Sequence, residues 1–251
     1  MQKFKYTTIG HTKHKLCCPL TEGRVDEILS YLTNLQSNLV LDIGCGKGFF
    51  LLKLSKNIAT IGHGVDLNPF FIDEAINSSA AQIDAKLLSF QCADINKISL
   101  DNNFGAIACL GSTQSYNGFY ETLAFTYEHL CENGIAIISD AYKLSVRSHS
   151  KELLLPCFLQ GCRSQRENIQ KAKSLGFRLI STIESAQFEW DIYETKFYES
   201  ISEFFQKNPS DSDAKKMLDQ SERWLSTYKA ITKNILGFGT YIFKKTGGAR
   251  H

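Results

Sequence analysis

The sequence predicts an α/β fold, a doubly wound, mostly parallel seven-stranded sheet with helices on both faces. Three observations carry that expectation. From Leu39 to Phe50 the chain reads LVLDIGCGKGFF: an apolar run, an acid, glycines at alternate positions and a second apolar run. That is the pattern of a buried strand, a tight turn and a helix start. Strand-like runs then alternate with helix-like segments, which implies right-handed crossovers between parallel strands. Finally, Asp42, Asp66, Asp94 and Asp140 all fall at the carboxyl ends of predicted strands, where such a sheet gathers its ligands.

The elements follow in order. Residues 1–20 form a leader without a clear assignment, locally basic through Lys3, Lys5, Lys13 and Lys15 and read as a solvated tail. Thr21, followed by Val25, Ile28, Leu29 and Leu32, reads as a capped amphipathic helix. After the first strand and its turn, a helix is expected over about Phe49 to Lys56, its free N–H groups aimed back at the turn. Ala59 to Val65 reads as the second strand, ending at Asp66; Asn68 and Pro69 cap and open a helix to Ala80. Leu87 to Cys92 is the third strand, Phe104 to Leu110 the fourth and Gly111 to Asn117 a polar loop. A helix from Phe119 to Cys131 leads to a fifth strand, Ile135 to Ser139, with Asp140 at its end.

Ser164 and Glu167 form a capping box for a helix that Gly176 closes, before a sixth strand, Phe177 to Ile183. The final strand is Gly237 to Lys244. Between these last two lie about fifty residues that a minimal sheet does not need. Trp190, Tyr193, Phe197, Ile201, Phe204 and Phe205 recur at helical spacing, as do Met217, Trp224, Tyr228, Ile231 and Ile235. Residues 189–234 therefore read as a two-helix insert, either packed on the sheet edge or placed as a substrate cover.

Composition narrows the classes. A chain of 251 residues, 43% hydrophobic and 22% charged, is ordinary for a globular protein, and no linker divides it, so one domain over 1–251 is expected. A net charge of +2 gives no reason to expect a nucleic-acid partner. No run has signal-peptide or membrane-spanning character, so a cytoplasmic protein is expected. The eight cysteines lack paired zinc spacing, and no metal is expected; Cys157 and Cys162 are the nearest to a functional pair. The terminal GGARH reads as a tail.

The turn runs G-x-G-x-G, whereas a dinucleotide fingerprint runs G-x-G-x-x-G. Asp42 just before it would repel a pyrophosphate and favour a cationic ligand without phosphate, such as S-adenosyl-L-methionine. On the glycine turn, the strand-end acids and the element order, the chain resembles the class I methyltransferases. The resemblance implies a cofactor-binding core over residues 39–140 and an antiparallel last strand. It implies that Gly44, Cys45, Gly46 and Gly48 hold the methionine portion of the cofactor and that Asp42 attracts its ammonium. It further assigns Asp66, with Leu67 beside it, to the ribose hydroxyls, Asp94 to the adenine amino group and the Ile95 N–H to a ring nitrogen, and counts Leu110 among the cofactor-binding residues. The leader HKLCCPLTE and the insert EWDIYE look like those of a bacterial small-molecule-type subgroup. After the fourth strand, LGSTQSYN lacks the Asn/Asp-Pro-Pro-aromatic motif of the amino-methylating DNA enzymes.

Methyl transfer is an in-line displacement, in which orientation supplies roughly 7–11 kcal/mol of the barrier. A nucleophile that carries a proton also needs a base. Asp140 is the first candidate, with His14 and Tyr116 as further catalytic candidates and Tyr142, Trp190 and Tyr193 as substrate-binding ones. The expected acceptor is a small molecule. The rival readings are an RNA or protein methyltransferase, a cofactor-binding protein without catalysis and, more distantly, an NAD-binding dehydrogenase.

Overall fold

The computed structural model describes residues 3–80, 87–100, 103–144, 159 and 161–247. Seven strands pair in one sheet: β1 (Leu39–Ile43), β2 (Ile61–Asp66), β3 (Leu88–Cys92), β4 (Phe104–Leu110), β5 (Leu130–Lys143), β6 (Phe177–Glu184) and β7 (Leu236–Lys245). Their spatial order is β3-β2-β1-β4-β5-β7-β6, and β7 runs antiparallel to both of its neighbours. The near-continuous apolar runs are explained by burial on both faces. Val40, Ala106, Ala108 and Ile137 join the core on one side, while Leu41, Ile107, Ala136 and Ile138 join the core on the other. The expected architecture is the observed one.

The strand boundaries differ in one consequential place. The helix before β5 is α5 (Phe119–His129), and the chain is already in the sheet at Leu130, opposite Phe104. The ladder then shifts register before Ile135, with Asn133 at φ 64°. At its other end β5 continues past Ser139 because β7 keeps pairing with it, setting Asp140 opposite Gly239. Its parallel neighbour β4 stops at Leu110, opposite Ser139. Asp140 therefore lies inside a strand and beyond the end of the next one, which opens one side of it to a ligand.

Leader and insert also depart from expectation. The leader contains α1 (Lys5–Gly10), which packs on the insert helix α7 (Gln187–Lys207), with the Tyr6 and Phe197 rings 5.3 Å apart, edge to face. Two of its lysines are ion-paired to the insert. Lys5 pairs with Asp211 at 2.6 Å and Asp213 at 3.2 Å, and Lys13 pairs with Glu199 and Glu203. Helix α8 (Ala214–Thr227) lies against α7 and shares a small core of Ile201, Met217 and Leu218 with the leader's Tyr6 and Ile9. Glu189 caps the start of α7 from within: the Ala186 N–H donates to it at 2.6 Å, and Glu189 also accepts from Thr21 and Arg24. Further helices are α2 (Glu22–Leu29), α3 (Phe49–Asn57), α4 (Pro69–Ala80) and α6 (Gln165–Ser174). Among the described residues, no helix is long and apolar enough to cross a membrane.

Candidate active site

The turn after β1 is held by its own protein contacts. The N–H groups of Gly44 and Cys45 both donate to the Val65 carbonyl, at 2.8 and 3.1 Å, and that of Gly48 donates to Cys45 at 3.0 Å. The Gly46 N–H donates to the Asp66 carboxylate at 2.9 Å. These four turn donors are thus already used by the protein itself. Two of the glycines are also required by the fold. Gly44 and Gly48 have φ of 66° and 74°, and a β-carbon would meet Ser112 Oγ at 2.1 Å at the first and the Phe90 ring at 2.7 Å at the second. Cys45 is buried, with its sulfur against Gly64.

What the turn leaves over is an acceptor. Asp42 is 2% exposed, and its Oδ1 has no hydrogen-bond partner among the described residues. Burial first, and then the charge of Asp66, push its carboxyl well above the usual range. An orphaned buried carboxylate oxygen fits a cationic or hydrogen-bond-donating group and opposes a phosphate. This observation supports a sulfonium amino acid at this end of the groove. Asp66 is raised mainly by burial, and its Oδ1 accepts from the Asn68 N–H at 2.8 Å. With one bond on each oxygen, it retains acceptor capacity for a pair of hydroxyls. Asp94 accepts from the Asn96 backbone and side chain at 3.1 and 2.9 Å, bonds that hold its carboxyl below the ordinary value. Ile95 is buried beside it, Leu67 is exposed after β2, and Leu110 closes β4. The leader passes over this groove: Cys17 faces Gly46 and Cys18 faces Gly111.

A cavity of about 960 Å³ adjoins the groove above β4 and β5 and extends under the insert. Asp140, Thr113 and Gly111 line its sheet end; Trp190, Glu194 and Trp224 line its insert end. Asp140 accepts from Thr113 Oγ1 at 2.6 Å and from the Ala141 N–H at 2.7 Å, while burial pushes its pKa up to about 6. A carboxylate with that pKa, at a cavity wall, can take a proton near neutrality.

The other predicted residues divide. Tyr193 lines the cavity and ties the leader down: its hydroxyl donates to the Cys17 carbonyl at 3.1 Å and contacts His11 Nε2 at 2.9 Å. Trp190 both lines the cavity and is 6% exposed, packed between Tyr228 and Phe238, so it serves as wall and core together. His14 is not at the Asp140 end. Its Nε2 donates to the Tyr193 carbonyl at 3.0 Å, burial lowers its pKa, and it lines a separate cavity with Lys47, Lys53 and Glu74. Tyr116 is turned away, its ring 4.6 Å from Phe125. Tyr142 lies across Gly237 and Gly239 beside Glu184, outside the cavity, because those two glycines leave space for its ring. Cys162 lines the cavity and is raised to about 12 by burial, a packed thiol rather than a reactive one; Cys157 falls outside the described residues.

Two residues of the cavity wall escaped the sequence reading. Thr113 sat in a loop read only as polar. Glu194 is 5% exposed and accepts from Trp190 Nε1 at 3.0 Å and from Trp224 Nε1 at 2.5 Å. A glutamate four residues after a tryptophan, on the apolar stripe of a helix, was the available signal.

Comparison with known proteins agrees with this geometry. A methyltransferase-domain family matches residues 40–134. The uncharacterised protein YjhP of Escherichia coli is 20% identical over 240 residues, 93% of this chain and 95% of its own length. A malonyl-[acyl-carrier protein] O-methyltransferase of Bacillus cereus is 25% identical over 142 residues, 57% of this chain and 49% of its own. Among solved structures, an S-adenosylmethionine-dependent methyltransferase from Geobacter sulfurreducens in complex with S-adenosyl-L-homocysteine superposes with a TM-score of 0.84 at 23% identity, covering 95% of this chain and 96% of that one. One from Thiobacillus denitrificans, with the same ligand, gives 0.83 at 21% identity, covering 95% and 97%. These likenesses show the shared fold. The segment that matches the methyltransferase-domain family contains the strand, the glycine turn and the first three strand-end acids, and the chain as a whole has the fold of the class I S-adenosylmethionine-dependent methyltransferases.

Proposed function

We propose that the protein transfers a methyl group to a small-molecule acceptor enclosed between the sheet and the helical insert. One observation carries this reading: the 960 Å³ cavity joins Asp140 on the sheet to an aromatic wall on α7 and α8. S-adenosylmethionine, when bound, supplies an electrophilic methyl on a sulfonium. The chain's residues would do the rest. Asp42 offers its orphaned oxygen to the ammonium, Asp66 accepts from the ribose hydroxyls, and Asp94 with the Ile95 N–H reads the adenine. Asp140, kept in place by Thr113 and Ala141, receives the acceptor's proton. Leader and insert exclude water, which strengthens the charge interactions inside.

Incubating the protein with isotopically labelled cofactor and fractionated cell extract tests the reading. Label is expected in a small-molecule fraction, identified by mass spectrometry. Label confined to RNA or protein would replace the acceptor class, and label in no fraction would favour cofactor binding without transfer.

A further inference from the structure

The insert end of the cavity holds a carboxylate whose environment is unusual for a structural residue. Glu194 is 5% exposed, and among the described residues it forms no ion pair. Its hydrogen bonds come from two indole N–H groups, one on each oxygen, so one lone pair per oxygen is left over. Burial is the largest influence on its proton, the two indoles offset only part of it, and the pKa rises to about 7. A buried carboxylate without a cation is costly, so a helix tie made this way is poorly suited to stability alone. Two indoles could be tied by neutral acceptors at lower cost.

The surroundings specify what would compensate the charge. Trp190, Tyr193 and Phe197 share a face of α7 with Glu194, Trp224 arrives from α8, and Tyr6 from α1 packs edge to face on Phe197; all five line the cavity. Aromatic rings around a carboxylate attract a cation by charge and by ring quadrupole, and both effects strengthen when water is excluded.

We propose that Glu194, Trp190 and Trp224 form a recognition site for a cationic nitrogen on the methyl acceptor, on the insert side of the cavity that Asp140 lines from the sheet. This rests on the reading of the cavity as the acceptor site. The acceptor is then a small molecule with two ends. A protonated amine or another nitrogen cation seats on Glu194, and a separate nucleophile reaches toward Asp140. Glu194 is a specificity residue here, and the transferred methyl goes elsewhere.

The test compares two probes of similar shape on the protein saturated with S-adenosylhomocysteine at about pH 8, where an alkyl amine is charged. Phenethylamine carries the cation and 2-phenylethanol does not. Calorimetry is expected to show the amine bound at least about tenfold more tightly, the 1.4 kcal/mol step that one retained charge contact readily supplies. Glu194→Gln should remove that preference while leaving the affinities for the alcohol and for S-adenosylhomocysteine within about twofold, the latter also reporting that the variant is folded. Equal affinities in the wild type, an amine that does not bind, or a preference that survives in Glu194→Gln would each overturn the cation site. A labelled product without a cationic nitrogen would also overturn it while leaving methyl transfer to a small molecule intact.

Discussion

Around Asp42 and Asp66 the working groups are fixed by the main chain, whereas around Glu194 they are fixed by long side chains reaching from two helices. In the first region, the Val65 carbonyl, the Gly46 N–H and the Asn68 N–H hold the turn and Asp66 together, while Asp42 is placed by its position on β1. In the second, the carboxylate is held by indoles of α7 and α8, and the leader is tied in through Tyr193. Main-chain positioning demands particular residues at particular spacings. Side-chain positioning demands only a packed aromatic surface, which many sequences can provide. One region can therefore stay constant while the other changes its ligand.

That contrast is sharpest where the two regions meet, at Asp140. Asp140→Asn should lower turnover on the acceptor found by labelling by roughly 10²–10⁴, the usual contribution of a general base, with cofactor affinity unchanged in calorimetry. The raised pKa sets the sign of the pH dependence: the carboxylate, which is the base, forms as pH rises through about 6, so the wild-type rate should climb there and the variant's should not. A flat wild-type profile, or an active variant, would remove Asp140 from the chemistry. Trp190→Ala strikes the insert from the inside. With Tyr228 at 5.6 Å and Phe238 at 6.0 Å, loss of the ring should cost about 3–5 kcal/mol in denaturant unfolding. Near wild-type stability would show the ring to be a cavity wall only.

Asp66→Ala belongs to the other region and should act on affinity more than on folding. Removal of a charged acceptor of two hydroxyls is expected to weaken S-adenosylhomocysteine binding by about 1.5–3 kcal/mol, with the phenethylamine preference retained in whatever complex forms. Unchanged affinity in a folded variant would refute the assignment. The smallest expected effect is on nucleic acids. With a net charge of +2 and leader lysines already paired to insert acids, gel shifts at physiological salt should show only weak, sequence-independent retention. Tight, sequence-dependent retention would move the acceptor class to RNA or DNA.

The fold was legible because its signals are local. The strand runs, the Ser164 box and Gly44 to Gly48 each state a backbone requirement, and the element order then selects the sheet. The reason given for the glycines was nevertheless incomplete, since Ser112 and Phe90, far away in sequence, occupy the space their missing side chains leave. The cavity was legible only in outline. Trp190 and Tyr193 were found by helical spacing, but period alone does not distinguish a ring facing a core from one facing a cavity. Tyr142 was misplaced because it shares the strand with Asp140, and nothing local tells that Gly237 and Gly239 make room for its ring elsewhere. The leader is a related case: Lys5 and Lys13 look solvated until the acids of the insert are brought to them.

The position of β7 also constrains how the chain is made. It lies between β5 and β6, and its pairing with β5 closes about a hundred residues of intervening chain. During synthesis, β1 to β5 can assemble with their helices while the growing edge at β5 stays open. β6 emerges with no strand to join, and the two insert helices follow before its partner does. Only when residues 236–245 are available does β7 enter, close the open edge and capture β6 in one event. A chain that ends before β7 carries the strands of the cofactor groove but lacks the strand that joins β6 to them. Any ribosomal pause between β6 and β7 prolongs the exposure of an apolar strand edge, and that interval is where aggregation competes with folding.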